Sequence, residues 1–287
     1  MARPSVCVAM PVRNCEATIE PAIRSILGQT YPHWFLLLLD DGSTDRTVAL
    51  ARRYSIDERV QILVDGRSLG ITARLNQAIA SGASAKYFAR MDGDDISYPE
   101  RLERQVTTLE ADPRIDVLGA SILVFGPSGE GLGWRPGPPT HEEICARPNS
   151  GFKMAHPSWC GRRAWFERYG YDKRAFGCED QDLLRRAWRE SRFSNLPEIL
   201  LGYREHGIRL AATLRTRTNT VCSVARTEGG WMRSVTLRSG FEQTVKSIAE
   251  VAAWIPGKDE MVLRRRRHPL RYADRVRWAE IWRLNRG

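Results

Sequence analysis

A Rossmann-like, mostly parallel α/β sheet with flanking helices is the architecture this chain of 287 residues should adopt. In its first half an apolar strand-like run, a polar turn carrying Asp, Asn or Arg, and an amphipathic stretch recur four times, the pattern of stacked βαβ units. The run Trp34-Phe35-Leu36-Leu37-Leu38-Leu39 is apolar on both faces, as a strand inside a parallel sheet should be. The polar turns follow the apolar runs directly, where a buried strand would release the chain into a loop.

The first strand covers residues 6–11 and gives way to Val12-Arg13-Asn14. A helix follows from Glu16 to about Gln29, with Ile19, Ile23, Ile26 and Leu27 at helical spacing. The second strand stops at Asp40-Asp41-Gly42-Ser43-Thr44-Asp45, where Ser43 or Thr44 is placed to cap a helix running to Tyr54. The third, residues 60–64, meets Asp65-Gly66-Arg67-Ser68-Leu69-Gly70 and then a helix that ends at Ser81 with Gly82 as its stop. The fourth ends in Asp92-Gly93-Asp94-Asp95, after which Pro99 opens a helix through Leu102, Val106 and Leu109. The Gly- and Pro-rich residues 126–139 read as loops or a hairpin. Further on, Glu179-Asp180 opens a helix with Leu183, Leu184 and Ala187 on one face.

In an open parallel sheet the loops at the carboxyl ends of the strands share one edge, and ligands bind there. Asn14, Asp40, Asp41, Arg67, Asp92 and Asp94 all belong to that edge. Carboxylates held close together repel unless a cation screens them, and Mg2+ and Mn2+ prefer oxygen ligands. The edge therefore predicts a nucleotide-like ligand with a metal; the plain alternative is a solvated Asp-rich turn.

A hydrophobic content of 42% suits one large core, or one core plus an appendage. No apolar stretch approaches the roughly 20 residues that cross a bilayer, and the first apolar run meets Arg13 too soon for a secretory segment, so a cytoplasmic location is expected. Six cysteines without close paired spacing speak against zinc and for reduced thiols. The net charge of +10 suggests nucleic acid at first, but residues 264–287 hold nine Arg against Asp274 and Glu280 and so carry +7 of it. That run, from Arg264 to Arg286 with Trp278 and Trp282 inside it, is a candidate for contact with an anionic membrane surface, at about 1 kcal/mol per nearby Arg. A solvated helix is the plain alternative, and no nucleic acid is expected.

Five motifs stand in order: Pro11-Val12-Arg13-Asn14; Asp40 through Asp45; residues 70–76; Met91-Asp92-Gly93-Asp94-Asp95 with Pro99-Glu100-Arg101-Leu102-Glu103-Arg104-Gln105; and Glu179-Asp180-Gln181-Asp182-Leu183. Together they resemble the family-2 inverting glycosyltransferases of GT-A fold, from about Ser5 to His206. The resemblance implies transfer of a sugar from a nucleotide diphosphate donor, most often a UDP-sugar, to an acceptor hydroxyl, with Mn2+ or Mg2+ as cofactor. The implied setting is synthesis of a surface polysaccharide, lipopolysaccharide or glycolipid, with a saccharide or lipid-linked saccharide as acceptor. Residues 1–125 would form the donor half and residues 126–210 the acceptor and catalytic-base half of one domain, with 211–287 a basic, helical extension.

Carried over by residue, the resemblance places Pro11, Val12 and Asn14 along the nucleobase and Asp40 or Asp41 on the base or ribose. Gly70 falls in the third donor loop, Asp92 near the ribose or sugar, and Asp94 on the metal, with Asp92 and His206 beside it. Family members often carry Arg directly before the residue matching Asn76, where this chain has Leu75; Arg74 and Arg67 are both candidates for the pyrophosphate. An inverting displacement needs a base on the face opposite the leaving diphosphate, which assigns Asp180 as general base and Glu179 as the group that orients the acceptor. Acids in a first helical turn are also favoured by the helix dipole alone. His156 and Trp159 are candidate acceptor contacts, with core packing as their alternative. A sugar-phosphate nucleotidyltransferase would want a Gly-rich loop after the first strand, which Pro11 to Asn14 is not. A non-enzymatic binder of anionic surfaces or nucleic acid would rest on the tail charge alone.

Overall fold

The computed structural model describes residues 5–148, 150–207, 210–253, 263–264 and 267–286. The strands β1 (Val6–Val12), β2 (Trp34–Asp40), β3 (Val60–Leu63) and β4 (Tyr87–Arg90) lie parallel and side by side, as the repeats require. Between them run α1 (Ile19–Leu27), α2 (Thr47–Ala51) and α3 (Ile71–Ser81). Side chains alternate across each strand. Val6, Val8 and Met10 therefore join Ile19, Ile23 and Ile26 in a core on one face, whereas Cys7 and Ala9 join Leu75 and Ile79 in a core on the other. The α2 cap differs from expectation. Asp45, not Ser43 or Thr44, accepts the Thr47 amide at 2.9 Å, because both hydroxyl residues are engaged with the first loop.

After β4 come β5 (Ile96–Ser97), α4 (Arg101–Ala111), β6 (Val117–Phe125) and β7 (Gly131–Arg135), the last closing the hairpin expected around residues 126–139. They are followed by α5 (His141–Ile144), β8 (Cys160–Arg162), α6 (Arg163–Tyr169), α7 (Glu179–Ala187) and β9 (Phe193–Arg204). The sheet order is β3-β2-β1-β4-β8-β6-β9-β5, with β7 paired to β6. The direction reverses at β8, which is antiparallel to both β4 and β6. This reversal brings the end of β9 beside the loop after β4, because β5 pairs with β9.

The chain closes with α8 (Leu210–Thr227), α9 (Ser234–Ala253) and α10 (Tyr272–Arg286). No described helix is long and apolar enough to cross a membrane. The basic tail departs from the expectation of a lipid-facing aromatic pair. Trp278 is 2% exposed, lies 4.7 Å from Phe125 and 6.2 Å from Tyr98 by ring centroid, and donates its indole N–H to the Gly129 carbonyl at 2.7 Å. With Leu270 and Ile281 it builds a third apolar cluster, against which Trp282 packs. Burying so large a ring on the sheet outweighs its affinity for a membrane interface. Arg265 and Arg266 lie outside the described residues.

Candidate active site

The first three loops are stitched together by their own polar groups. Asn14 sits at φ 51°, uncommon for a side-chain-bearing residue but tolerated by Asn. There its amide donates to Ser43 Oγ at 3.0 Å and its Oδ1 accepts the Thr44 amide at 2.9 Å. Asp40 accepts the amides of Gly42 and Ser43, both at 3.2 Å, closing its own turn. Asp41 accepts the amides of Leu69 at 2.7 Å and Gly70 at 3.0 Å, together with Arg74 Nε at 3.1 Å. Gly70, at φ 85°, is thus spent on Asp41 through its N–H.

Arg74 is fully buried and also pairs with Asp65 at 2.7 Å, holding that carboxyl well below the usual carboxylate range. It is an internal clamp for the third loop and not a pyrophosphate ligand. Arg67, the other candidate, is exposed. The Asp40 and Asp41 side chains are buried and accept bonds from the loops they shape, Asp40 within its own turn and Asp41 from the third loop.

Beyond β4, carboxylate oxygens of Asp92, Asp94 and Asp95 lie within 4.8 Å of one another. Gly93 is required between them, since a Cβ there would come 2.7 Å from Val12 Cγ1. Asp92 pairs with Arg90 at 2.5 Å. His206, just past β9, brings Nε2 to 2.5 Å from Asp94 Oδ2. Asp95 accepts the Arg204 amide at 2.9 Å through Oδ1, while its buried Oδ2 has no partner. Burial and the charge of Asp94 raise both Asp92 and Asp95 above the usual carboxylate range, Asp95 more strongly. Clustered hard oxygen donors, one of them buried and unpartnered, fit a divalent cation such as Mn2+ or Mg2+.

The opposite wall comes from the first turn of α7. Arg90, Asp92, Arg135, His156, Glu179, Asp180 and Tyr203 line one cavity of about 290 Å³. Asp180 Oδ2 accepts from Gln181 Nε2 at 3.0 Å. Glu179 has a buried, unpartnered Oε2, and burial together with the adjacent Asp180 carboxylate pushes its pKa up to about 7. Asp182 turns away to Ser223 Oγ at 2.6 Å and Arg186 Nε at 2.8 Å, fastening α7 to α8.

His156 lines the cavity through a buried ring whose Nε2 lies 2.8 Å from the Tyr171 hydroxyl, and burial keeps it neutral by lowering its pKa far below the ordinary histidine value. Trp159 is not a sugar platform: it is 0% exposed and packs inside the core beneath His156. Three residues of this site, Arg90, Arg135 and Tyr203, were not anticipated. Arg90 carried a signal, a lone cation inside an apolar strand, and two of its nitrogens remain without a hydrogen-bond partner.

The strand order, the reversal at β8 and the acid cluster at the carboxyl edge define an α/β protein of the GT-A type, with a helical C-terminal extension. The model of Glycosyl transferase family 2 matches residues 7–170, more than half of the chain, and the chain belongs to that family. Among curated relatives, the putative glycosyltransferase EpsE of Bacillus subtilis is 41% identical over 128 residues, covering 44% of this chain and 46% of EpsE. This chain therefore spans about half the length of that relative. Among solved structures, S. aureus TarS 1-349 in complex with UDP superposes with a TM-score of 0.60 at 15% identity, over 98% of this chain and 80% of that one. The mannosyltransferase PcManGT from Pyrobaculum calidifontis, in complex with GDP-Man and Mn2+, gives a TM-score of 0.60 at 18% identity, over 91% of this chain and 79% of its own.

Proposed function

We propose that the chain catalyses inverting transfer of a sugar from a nucleoside diphosphate donor, a UDP-sugar first, to a hydroxyl of a saccharide or lipid-linked saccharide. The observation that carries this is the meeting of Asp92 and Asp180, from segments far apart in sequence, on one cavity beside the acid cluster. Asp94, with Asp92 and His206, would hold Mn2+ or Mg2+, which would stabilise negative charge on a diphosphate leaving group. Asp180 accepts the proton of the attacking hydroxyl, a contribution of typically ~10²- to 10⁴-fold. Glu179, protonated in part near neutral pH, donates a hydrogen bond that orients the acceptor. Arg90 holds Asp92 in place. With Asp40 and Asp41 engaged internally, the nucleobase is gripped by the loop around Pro11, Val12 and Asn14 and by loop backbone, and Arg67 reaches toward the phosphates.

The setting is surface polysaccharide or glycolipid synthesis on the cytoplasmic side of the membrane. The experiment is a screen of UDP- and GDP-sugars with Mn2+ for thermal stabilisation, because a ligand that binds only the folded state raises Tm. A rise with one donor, abolished by chelation and by Asp94→Asn, supports the assignment. Equal stabilisation with and without metal would refute the metal site, and no stabilisation by any donor would refute the donor class.

A further inference from the structure

α9 is built inside out. Thr236, Ser239 and Gln243 face the protein and are buried, and Gln243 Oε1 accepts from Arg217 of α8 at 2.8 Å. Leu237, Phe241, Val245, Ile248 and Val251 face solvent at spacings of three and four residues, Phe241 being 71% exposed. Trp231 and Met232, just before the helix, are exposed as well, Met232 at 86%. A surface helix ordinarily turns its polar side outward, so a contiguous apolar stripe of this length marks an interaction surface.

We infer that the outer face of α9 lies in the interfacial layer of an anionic lipid bilayer. Charge selects the bilayer over a second copy of the chain. Arg233 and Arg238 stand exposed along the stripe. A lipid-surface helix pairs an apolar face with basic flanks, and an indole is at home at the head-group level, which suits Trp231. A symmetric helix pair would need acids flanking the stripe to meet Arg238 of the other copy. The flanking positions Gly240 and Ser247 carry no acid, and Glu242 already pairs with Arg238 of its own helix.

The surface connects to the cleft by a short path. Lys246 Nζ donates to the Ser150 carbonyl at 2.8 Å, Ser150 Oγ bonds Glu242, and two residues on the Phe152 amide donates at 2.7 Å to Gln181 Oε1, the side chain that also bonds Asp180. A bilayer under α9 therefore sits one loop away from Asp180, the base proposed to take the proton of the acceptor hydroxyl. The inference concerns where the chain sits and not what it transfers, so vesicle binding and sugar transfer can fail separately.

The full chain is mixed with vesicles of phosphatidylcholine alone and of phosphatidylcholine with 30% phosphatidylglycerol, and the bound fraction is read by flotation, with light scattering giving the mass in solution. The expected result is a monomer that partitions onto the anionic vesicles at least tenfold better than onto the neutral ones. Phe241→Ser with Ile248→Ser should lose that partitioning at least tenfold with unchanged Tm, while Arg283→Ala with Arg286→Ala on α10 should change it less than threefold. A dimer that the Phe241→Ser and Ile248→Ser pair converts to monomer, vesicle binding untouched by that pair, or equal binding to both vesicle types would each overturn the inference.

Discussion

Replacing Glu179 with Gln isolates the electrostatic cost of the acid pair that opens α7. Glu179 is raised from 4.5 to about 7 by burial first and by the adjacent Asp180 carboxylate second. The folded chain therefore holds this proton more tightly than the unfolded chain does. The stabilisation it supplies is complete below 4.5 and is lost as pH rises through about 7. At ~1.4 kcal/mol per pKa unit, the loss between pH 5 and pH 8 amounts to ~2.5 kcal/mol. Gln mimics the protonated form and does not titrate, so Glu179→Gln should be close to wild type in stability at pH 5 and more stable at pH 8. For a domain of this size that corresponds to a Tm difference of ~5–10 °C. Differential scanning calorimetry of both proteins across the pH series is the assay. A Tm difference that stays constant from pH 5 to pH 8 would show that Glu179 has an ordinary pKa, and the crowding of charge at this wall would be wrong.

Arg74→Ala should destabilise the chain by ~3–5 kcal/mol, since it strands the Asp41 and Asp65 carboxylates around a buried ion pair. Because the clamp shapes the third loop, stabilisation by UDP should weaken too; urea denaturation and UDP titration check the two parts, and unchanged stability would contradict the clamp. Trp278→Ala should cost ~3–5 kcal/mol by emptying the cluster between α10, Tyr98 and Phe125, as read by urea denaturation. A loss below ~1 kcal/mol would return α10 to the status of a loose tail.

The first half was legible because its signals are local. Each strand is a short apolar run, each helix an amphipathic stretch, and each loop a cluster of turn residues, so β1 to β4 and the acid cluster at their edge could be placed by order alone. The second half depends on contacts between distant residues. β6, buried at all nine positions, is a mostly apolar run whose partners β8 and β9 begin only at Cys160 and Phe193. β9 contains Pro197, and its pairing with β6 slips at Ala120/Ser121 and Ser121/Ile122, which blurs its period. Trp159 and Trp278 show why composition misleads: an aromatic beside polar residues can stack on a sugar, rest on lipid or fill a core, and only the fold decides. Asp41 and Arg74 are the subtler case. Their residue types suit nucleotide binding, yet their partners, at positions 65 to 70, consume them from within. The pairing of His206 with Asp94 depended on β9 returning beside β5, a topology that spacing alone does not reveal.

The central claim is that acids on two distant segments divide the work, with Asp94 serving donor and metal and Asp180 serving the acceptor. The measurement that bears on it most directly is the transfer rate of Asp180→Asn, taken together with its affinity for UDP in Mn2+. The rate should fall by ~10²- to 10⁴-fold while UDP affinity stays within about twofold of wild type. Transfer within tenfold of wild type, or a loss of UDP binding that accounts for the whole deficit, would remove Asp180 from the acceptor side of the reaction.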